Sequence, residues 1–428
     1  MNKSNFAGIL IFLSFILSIY SYFFQKDLLI VSGSFAWIAF ILLYSSLKNK
    51  RFLLILFILS FISLMICIVN GYKIDFYKVF TVNQYLITLL IAVGFLRLIA
   101  TPKKAKIKEL PRGESSFLKT YLGVHLFGSV INLSSLILVA DKMYKKAPLS
   151  NTQIVLLTRA FASDAYWSPF FVAFAAAITY APKLNTLTIV LNGIVLALIG
   201  FIITYIEVKK DKKFNLDEFK GYPISFDTIY LPILLAFFVL ITHTLFPNIK
   251  VIVLISLFSF ILTIFVLPLK YTYLKSKIKF KNHILKELPK MKTELSLFLV
   301  AGMFGILVGS ILLGLNFKLP FETFDWFVAS ILLGIFIILG FIGIHPIITI
   351  AIIGDFLSGV NHTLLAITFL MAWSTTVSTS PFSGLNLTIV ARYNYDAKEI
   401  LKLNTFYAIK MYLVCTLCLY ILSSYLSL

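Results

Sequence analysis

What this chain has least of is charge. Only 13% of its 428 residues are Asp, Glu, Lys or Arg, against 60% hydrophobic residues, and the mean hydropathy is +0.95. A soluble domain carries about a quarter charged residues and needs polar surface to match its size, so the shortage excludes that class. Acidic residues are the scarcer sign, 18 against 38 basic ones, which leaves a net charge of +20. The excess does not point to nucleic acid, because the basic residues sit in short loops between apolar runs. There Lys and Arg set the orientation of membrane helices. Cysteines number three, and Cys67, Cys415 and Cys418 all lie in apolar runs. Cys415 and Cys418 make a C-x-x-C, a spacing used by redox and metal sites, which here reads as one turn of a membrane helix. The chain has no His-Glu-x-x-His, no Cys/His cluster, no phosphate loop and no Gly-x-Ser-x-Gly, so the enzyme classes built on those motifs have no support.

What is present is apolar sequence in lengths that cross a bilayer. A spanning helix needs roughly 20 apolar residues. Nine plain runs fit: 6–24, 28–47, 52–70, 79–99, 187–205, 228–246, 251–269, 295–315 and 405–427. The first has no small-residue cleavage site and reads as a membrane helix rather than a signal peptide. Four further stretches are too long for one span or are interrupted by Gly, Pro, Ser and Thr: 115–141, 150–180, 324–357 and 362–392.

The interrupted stretches come in pairs. One pair carries Gly123-Val124-His125 and Gly343-Ile344-His345-Pro346. The other carries Trp167-Ser168-Pro169-Phe170 and Thr379-Ser380-Pro381-Phe382. The order span, Gly-His stretch, Ser-Pro-Phe stretch, span occurs twice and reads as an internal duplication. The Gly-His stretches are expected to be re-entrant hairpins with those residues at their tips. The Ser-Pro-Phe stretches are expected to be spanning helices broken at mid-depth. With the N-terminus cytoplasmic and the C-terminus outside, the inside segments then hold 29 of the 38 Lys and Arg, as the positive-inside rule requires. The two halves run in opposite directions, and inverted repeats with discontinuous helices mark secondary transporters.

Candidate site residues follow from where irregular backbone and buried charge coincide. Hairpin tips and helix breaks offer free N–H groups to anions and free carbonyls to cations. Thr375, Thr376, Ser378, Thr379, Ser380, Ser383 and Asn386 cluster at the second break. Their hydroxyls and amide can coordinate a cation or bond a carboxylate, or can satisfy backbone groups freed near Pro381. Ser163 and Ser168 flank the first break. Arg159 and Asp164 lie in the membrane stretch beside it, where a charge costs roughly 2.5–3.5 kcal/mol and needs a partner or a task. Arg159 is expected to hold an anionic substrate, and its replacement by Ala to reduce transport with folding intact. Asp164 is expected to bind a coupling cation or carry a proton, unless the two pair with each other. His125 and His345 can donate to substrate or gate by protonation. Substrate binding is thus expected at Arg159, His125, His345, Ser168, Ser380 and Asn386. The coupling ion is expected at Asp164, Ser163, Thr375, Thr376, Ser378 and Thr379. His243, His283 and His362 read as interfacial or loop residues. Ser150-Asn151-Thr152 reads as a helix N-cap.

The order of spans, hairpins and broken helices resembles the ion transporter superfamily, especially the divalent anion:sodium symporters. In length and layout it is also similar to the large membrane subunit of tripartite periplasmic transporters. The resemblance covers the whole chain in architecture. In motif it is best from Thr379-Ser380-Pro381 to Asn386, which is similar to the Thr-Pro…Asn segment of that superfamily. Those symporters carry Ser-Asn-Thr at both tips, where this chain has Gly-Val-His and Gly-Ile-His-Pro. The resemblance implies a two-domain elevator that dimerises through its scaffold.

The expectation is therefore an all-α integral membrane protein with eleven spanning helices and two re-entrant hairpins in two inverted repeats. Scaffold helices fill 1–112 and 207–323, and the transport-domain repeats fill 113–206 and 324–428. It is read as a symporter in a bacterial inner membrane, moving a small organic anion with sodium or protons. It is expected to be a carrier and not an enzyme, with no cofactor besides sodium where sodium couples. Its partners are the lipid bilayer and a second copy of the chain, not nucleic acid. A permease subunit that needs a partner protein and a membrane enzyme acting on lipid-linked substrates are the alternatives.

Overall fold

The computed structural model describes residues 2–47, 50–100, 109–211, 213–222, 230–354 and 356–428. Parts of the basic segments expected around 48, 101–108 and 212, and the start of the span expected from Thr228, lie outside the described residues. Among the described residues there is no strand, and a single bridge pairs Arg112 with Lys220. In chain order the helices are α1 Lys3–Phe23, α2 Leu28–Tyr44, α3 Lys50–Val69, α4 Phe76–Thr81, α5 Gln84–Ala100, α6 Glu114–Ile131, α7 Leu133–Tyr144, α8 Asn151–Ala162, α9 Val172–Tyr180 and α10 Thr186–Lys210. They continue with α11 Tyr230–Leu245, α12 Val251–Lys270, α13 Tyr273–Asn282, α14 Lys292–Gly314, α15 Trp326–Phe341, α16 Pro346–Ile353, α17 His362–Thr379, α18 Gly384–Tyr393 and α19 Ala397–Tyr425. Among the described residues, eight helical stretches are long and apolar enough to cross a membrane, and in this respect the chain is an integral membrane protein.

The chain folds as two compact units. The first comprises Met1–Ile99, Ile233–Pro320 and Ile347–Ser358. In it, buried polar side chains knit apolar helices together, as expected where lipid removes the hydrophobic drive for helix association. Gln84 Nε2 on α5 donates to Ser14 Oγ and Ser18 Oγ on α1 and to Ser32 Oγ on α2, at 2.7, 3.0 and 2.8 Å. Asn83 Nδ2 donates to the Phe298 carbonyl of α14 at 2.8 Å. His283, expected in a loop or at the interface, is instead buried, in a π-helical turn at His283–Glu287 with its ring 4.5 Å from that of Phe95.

The second unit comprises Ala100–Pro232, Phe321–Pro346 and Gly359–Leu428. Residues 347–358 of the stretch expected as the second repeat thus fold with the first unit. In the second unit α6 and α7 form a helical hairpin, but its turn is not at Gly123-Val124-His125. It is at Asn132, whose φ of 51° lies in the left-handed region, which Asn tolerates better than most residues. The expected tip residues are in the middle of α6. Ahead of α16 the turn is where it was expected, at Gly343 with φ 102°. Ser150 caps α8 through a capping box with Gln153, which bears out the N-cap reading of that triplet. His362 is not in a loop but opens α17, buried, and its Nδ1 accepts the Lys183 N–H at 3.0 Å.

Candidate functional site

Both Ser-Pro-Phe segments break a helix. Proline removes a backbone donor and disfavours helical geometry in the residue before it. The first path runs from α8 through a 3₁₀ turn at Ser163–Tyr166 to α9. The second runs from α17 to α18. The two breaks close in the same way: Ser168 Oγ accepts the Phe170 N–H, and Ser380 Oγ accepts the Phe382 N–H, both at 3.2 Å. Each break also meets a turn of the second unit. Asn132 Nδ2 reaches the Phe170 carbonyl at 3.5 Å. At Gly343 an added Cβ would stand 2.9 Å from the Phe382 ring. Ser374 Oγ on α17 donates to the Ala162 carbonyl that ends α8, at 2.8 Å, so the two broken helices touch near their breaks.

At the first break the structure brings together His125, Ser163, Asp164 and Ser168. The His125 ring stands over the 3₁₀ turn, with Nδ1 2.8 Å from Asp164 Oδ1. The same nitrogen is 3.0 Å from Ser163 Oγ and 3.1 Å from the Ala160 carbonyl. On the other edge of the ring, the Trp167 indole N–H donates to His125 Nε2 at 3.2 Å. An indole is only a donor, so it fixes the tautomer: Nε2 accepts, and the imidazole proton is on Nδ1, where the Ala160 carbonyl accepts it. Asp164 is fully buried, and neither of its carboxylate oxygens has a hydrogen-bond partner among the described residues. Ser168 Oγ donates to the Ser129 carbonyl at 2.5 Å, which ties the break to α6.

At the second break the polar groups are neutral and mostly serve the backbone. Thr375, Thr376 and Thr379 donate to carbonyls four residues back on α17, at 2.9, 2.8 and 2.7 Å. Ser378 Oγ donates to the Thr375 carbonyl at 3.0 Å. Asn386 Nδ2 donates to the Ser380 and Ser378 carbonyls at 2.9 and 3.2 Å, and Ser383 Oγ to that of Val377 at 2.8 Å. These are acceptors that lose helical donors at Pro381. The hydroxyl protons are therefore committed, while the hydroxyl oxygens and Asn386 Oδ1 keep free lone pairs. A small cavity lies between the turn and the break, lined by His345, Thr376, Ser380 and Ser383. At about 10 Å³ it has room for about one water. The His345 ring stands edge-on to Trp373, 5.0 Å between centroids.

Arg159 belongs to neither group, and it does not pair with Asp164. It is fully buried. Its guanidinium donates to Asn404 Oδ1 at 2.9 Å, the Leu403 carbonyl at 2.9 Å, and Glu207 at 3.1 and 3.3 Å. Its face lies 4.3 Å from the centre of the Tyr407 ring. Four of the five N–H hydrogens of an arginine are thus engaged by protein, which leaves no bidentate fork for a substrate. The expectation that Arg159 can be removed with folding intact is corrected by these contacts. Glu207, Asn404 and Tyr407 were not singled out from the sequence, and Trp167 was named only as part of its Ser-Pro-Phe motif. Glu207 alone left a signal there: it is the single acid of α10, and an acid at the end of an apolar run invites a search for its cation. No protein-family model matches the chain, and a search of curated proteins gives no match.

Proposed function

We propose that this protein is a secondary transporter that moves a small organic anion of carboxylate type across a bacterial inner membrane, coupled to a cation. The observation that carries the reading is that, within the second unit, each Ser-Pro-Phe break meets a turn: Asn132 at Phe170 and Gly343 at Phe382. Irregular backbone at membrane depth is tolerated only where protein or a water-filled cavity satisfies it. Broken helices that meet in this way are where transporters hold substrate and coupling ion. The first break supplies the buried acid, Asp164, for the cation. The second supplies an uncharged, hydroxyl-rich lining at the N-terminus of α18, whose free N–H groups favour an anion. His345, Thr376, Ser380 and Ser383 are the residues assigned to substrate, and Arg159 is assigned to the architecture of the unit. At its present volume the second cavity is closed, and an anion enters only when the turn at Gly343 moves off Phe382. The eleven-span topology with inverted repeats, the cytoplasmic N-terminus, the elevator movement and the dimer belong to the same proposal.

The test is a thermal-shift screen of the purified protein against mono-, di- and tricarboxylates, sulfonates and amino acids, each in sodium and in choline and at two pH values. A ligand that binds only the folded state raises its melting temperature, so one anion class should stabilise the protein, and more so with its coupling cation. No shift from any anion, together with no uptake of those anions by proteoliposomes, sinks the reading.

A further inference from the structure

The buried acid and imidazole at the first break have a geometry that selects among cations. Asp164 has 0% exposure, whereas the His125 side chain keeps 14%. Neither Asp164 oxygen has a hydrogen-bond partner among the described residues, and Oδ2 leans on α6 at Gly128, where even a methyl group would overlap it. On that face no metal ion can stand beside Oδ2. A proton needs no such space. The carboxylate has only neutral groups for company, so in this state the pair buries an uncompensated negative charge, which is costly. Two phenols lie close by, Tyr121 facing Asp164 from α6 and Tyr166 on the 3₁₀ turn itself, and the remaining charged groups are elsewhere. On α8, Arg159 is engaged by Glu207 of α10. Asp141 and Lys142 are at the far end of α7. Asp164, on the 3₁₀ turn, is the charged group that faces the ring.

We propose that the His125–Asp164 pair binds one proton, at His125 Nε2, and that taking it up releases the Trp167 indole from the imidazole at the helix break. The new N–H bond forms on the nitrogen that accepts from Trp167. Two donors then face each other, and the indole gives way. The ring becomes an imidazolium whose charge is balanced by the Asp164 carboxylate, 2.8 Å from Nδ1. The exposed edge of the ring is the proton's way in. Because Trp167 precedes Ser168 and Pro169, the release acts directly on the geometry of the break. That this proton is the coupling ion rests on the transport reading above, while the binding of the proton does not.

The chain has four tryptophans, Trp37, Trp167, Trp326 and Trp373. The experiment follows the emission of Trp167 in nanodiscs between pH 5 and pH 9, in choline buffer, with the other three changed to Phe. A protonated imidazole next to an indole quenches it, so a one-proton transition is expected. His125→Gln should abolish the transition, and Asp164→Asn should move it down by about 1 pH unit or more. Should the triple variant not fold, the difference between the four-tryptophan protein and Trp167→Phe gives the same signal. A transition that survives His125→Gln overturns the proposal. So does a flat wild-type titration in which added sodium changes the emission in an Asp164-dependent way, which would make sodium the occupant. A transition that disappears in His125→Gln, in a protein whose vesicles take up no anion, would uphold the proton site and sink the transport reading instead.

Discussion

The two helix breaks of the second unit have the same backbone solution and opposite chemistry. Each has a Ser-Pro-Phe, a serine hydroxyl that accepts the phenylalanine N–H, and a turn packed on that phenylalanine. Around the first stand Asp164 and His125, with the Arg159–Glu207 pair apart from them between α8 and α10. Around the second there are hydroxyls, an amide and an imidazole edge-on to an indole. The shared part is what proline forces on a helix, so it says little about task. The difference shows where charge is held, and at what structural cost.

The largest effect expected from this contrast is on the charged side. Arg159→Ala leaves the mostly buried Glu207, its side chain 10% exposed, with only Lys410, at 3.4 Å, beside it. Breaking such a pair costs about 3–5 kcal/mol, read as a fall in melting temperature and loss of the monodisperse peak in detergent. The double change Arg159→Met with Glu207→Met should recover most of the loss, because neither charge is then stranded. Recovery of nothing would mean that the Asn404 and Leu403 contacts dominate. On the neutral side, Asn386→Ala removes the donor shared by the Ser378 and Ser380 carbonyls. Orphaning buried acceptors costs about 1–3 kcal/mol, so this variant should melt lower than wild type but above Arg159→Ala. The reverse order would break the comparison.

A packing test follows. An added Cβ at Gly340 would overlap the Thr376 methyl, and overpacking costs about 1–3 kcal/mol. Gly340→Ala should therefore destabilise, and Thr376→Ser, which lacks that methyl, should relieve it in the double variant. The smallest effect is at Asp141, whose carboxylate bonds Arg392 at 2.8 and 2.9 Å and the Tyr393 hydroxyl at 3.0 Å. Burial raises its pKa, but Arg392 and Tyr393 outweigh that and hold it below the usual carboxylate value. A depressed folded pKa contributes stability above the ordinary carboxylate range, and that contribution is lost as pH falls through the lower value. Asp141→Asn should cost about 0.2–1 kcal/mol near neutral pH and flatten the acid limb of the melting curve.

The elements most legible in the sequence were those set by composition and by proline. Apolar runs marked the spanning helices, and Pro169 and Pro381 marked the breaks to within a residue or two. The turn at Gly343 was legible because glycine at a positive φ is the common solution. The turn at Asn132 was not, since Gly123 and His125 looked more irregular than an asparagine between Ile131 and Leu133. Charge placement was legible, whereas charge partnership was not. Arg159 and Glu207 are 48 residues apart, and no periodicity links them. The Trp167 contact that fixes the His125 tautomer likewise needs two helices to be brought together.

Gly128 and Asp164 share one volume: the hydrogen on the glycine is all that the carboxylate leaves room for. The consequence is historical as well as chemical. A lineage descended from this sequence cannot enlarge position 128 while it keeps the acid; once the acid has shortened to Ser or Ala, only the Phe161 ring, 3.2 Å from an added Cβ, has to give. The two positions should therefore be inherited as a pair, and an alanine at 128 would mark a descendant that has given up the charge.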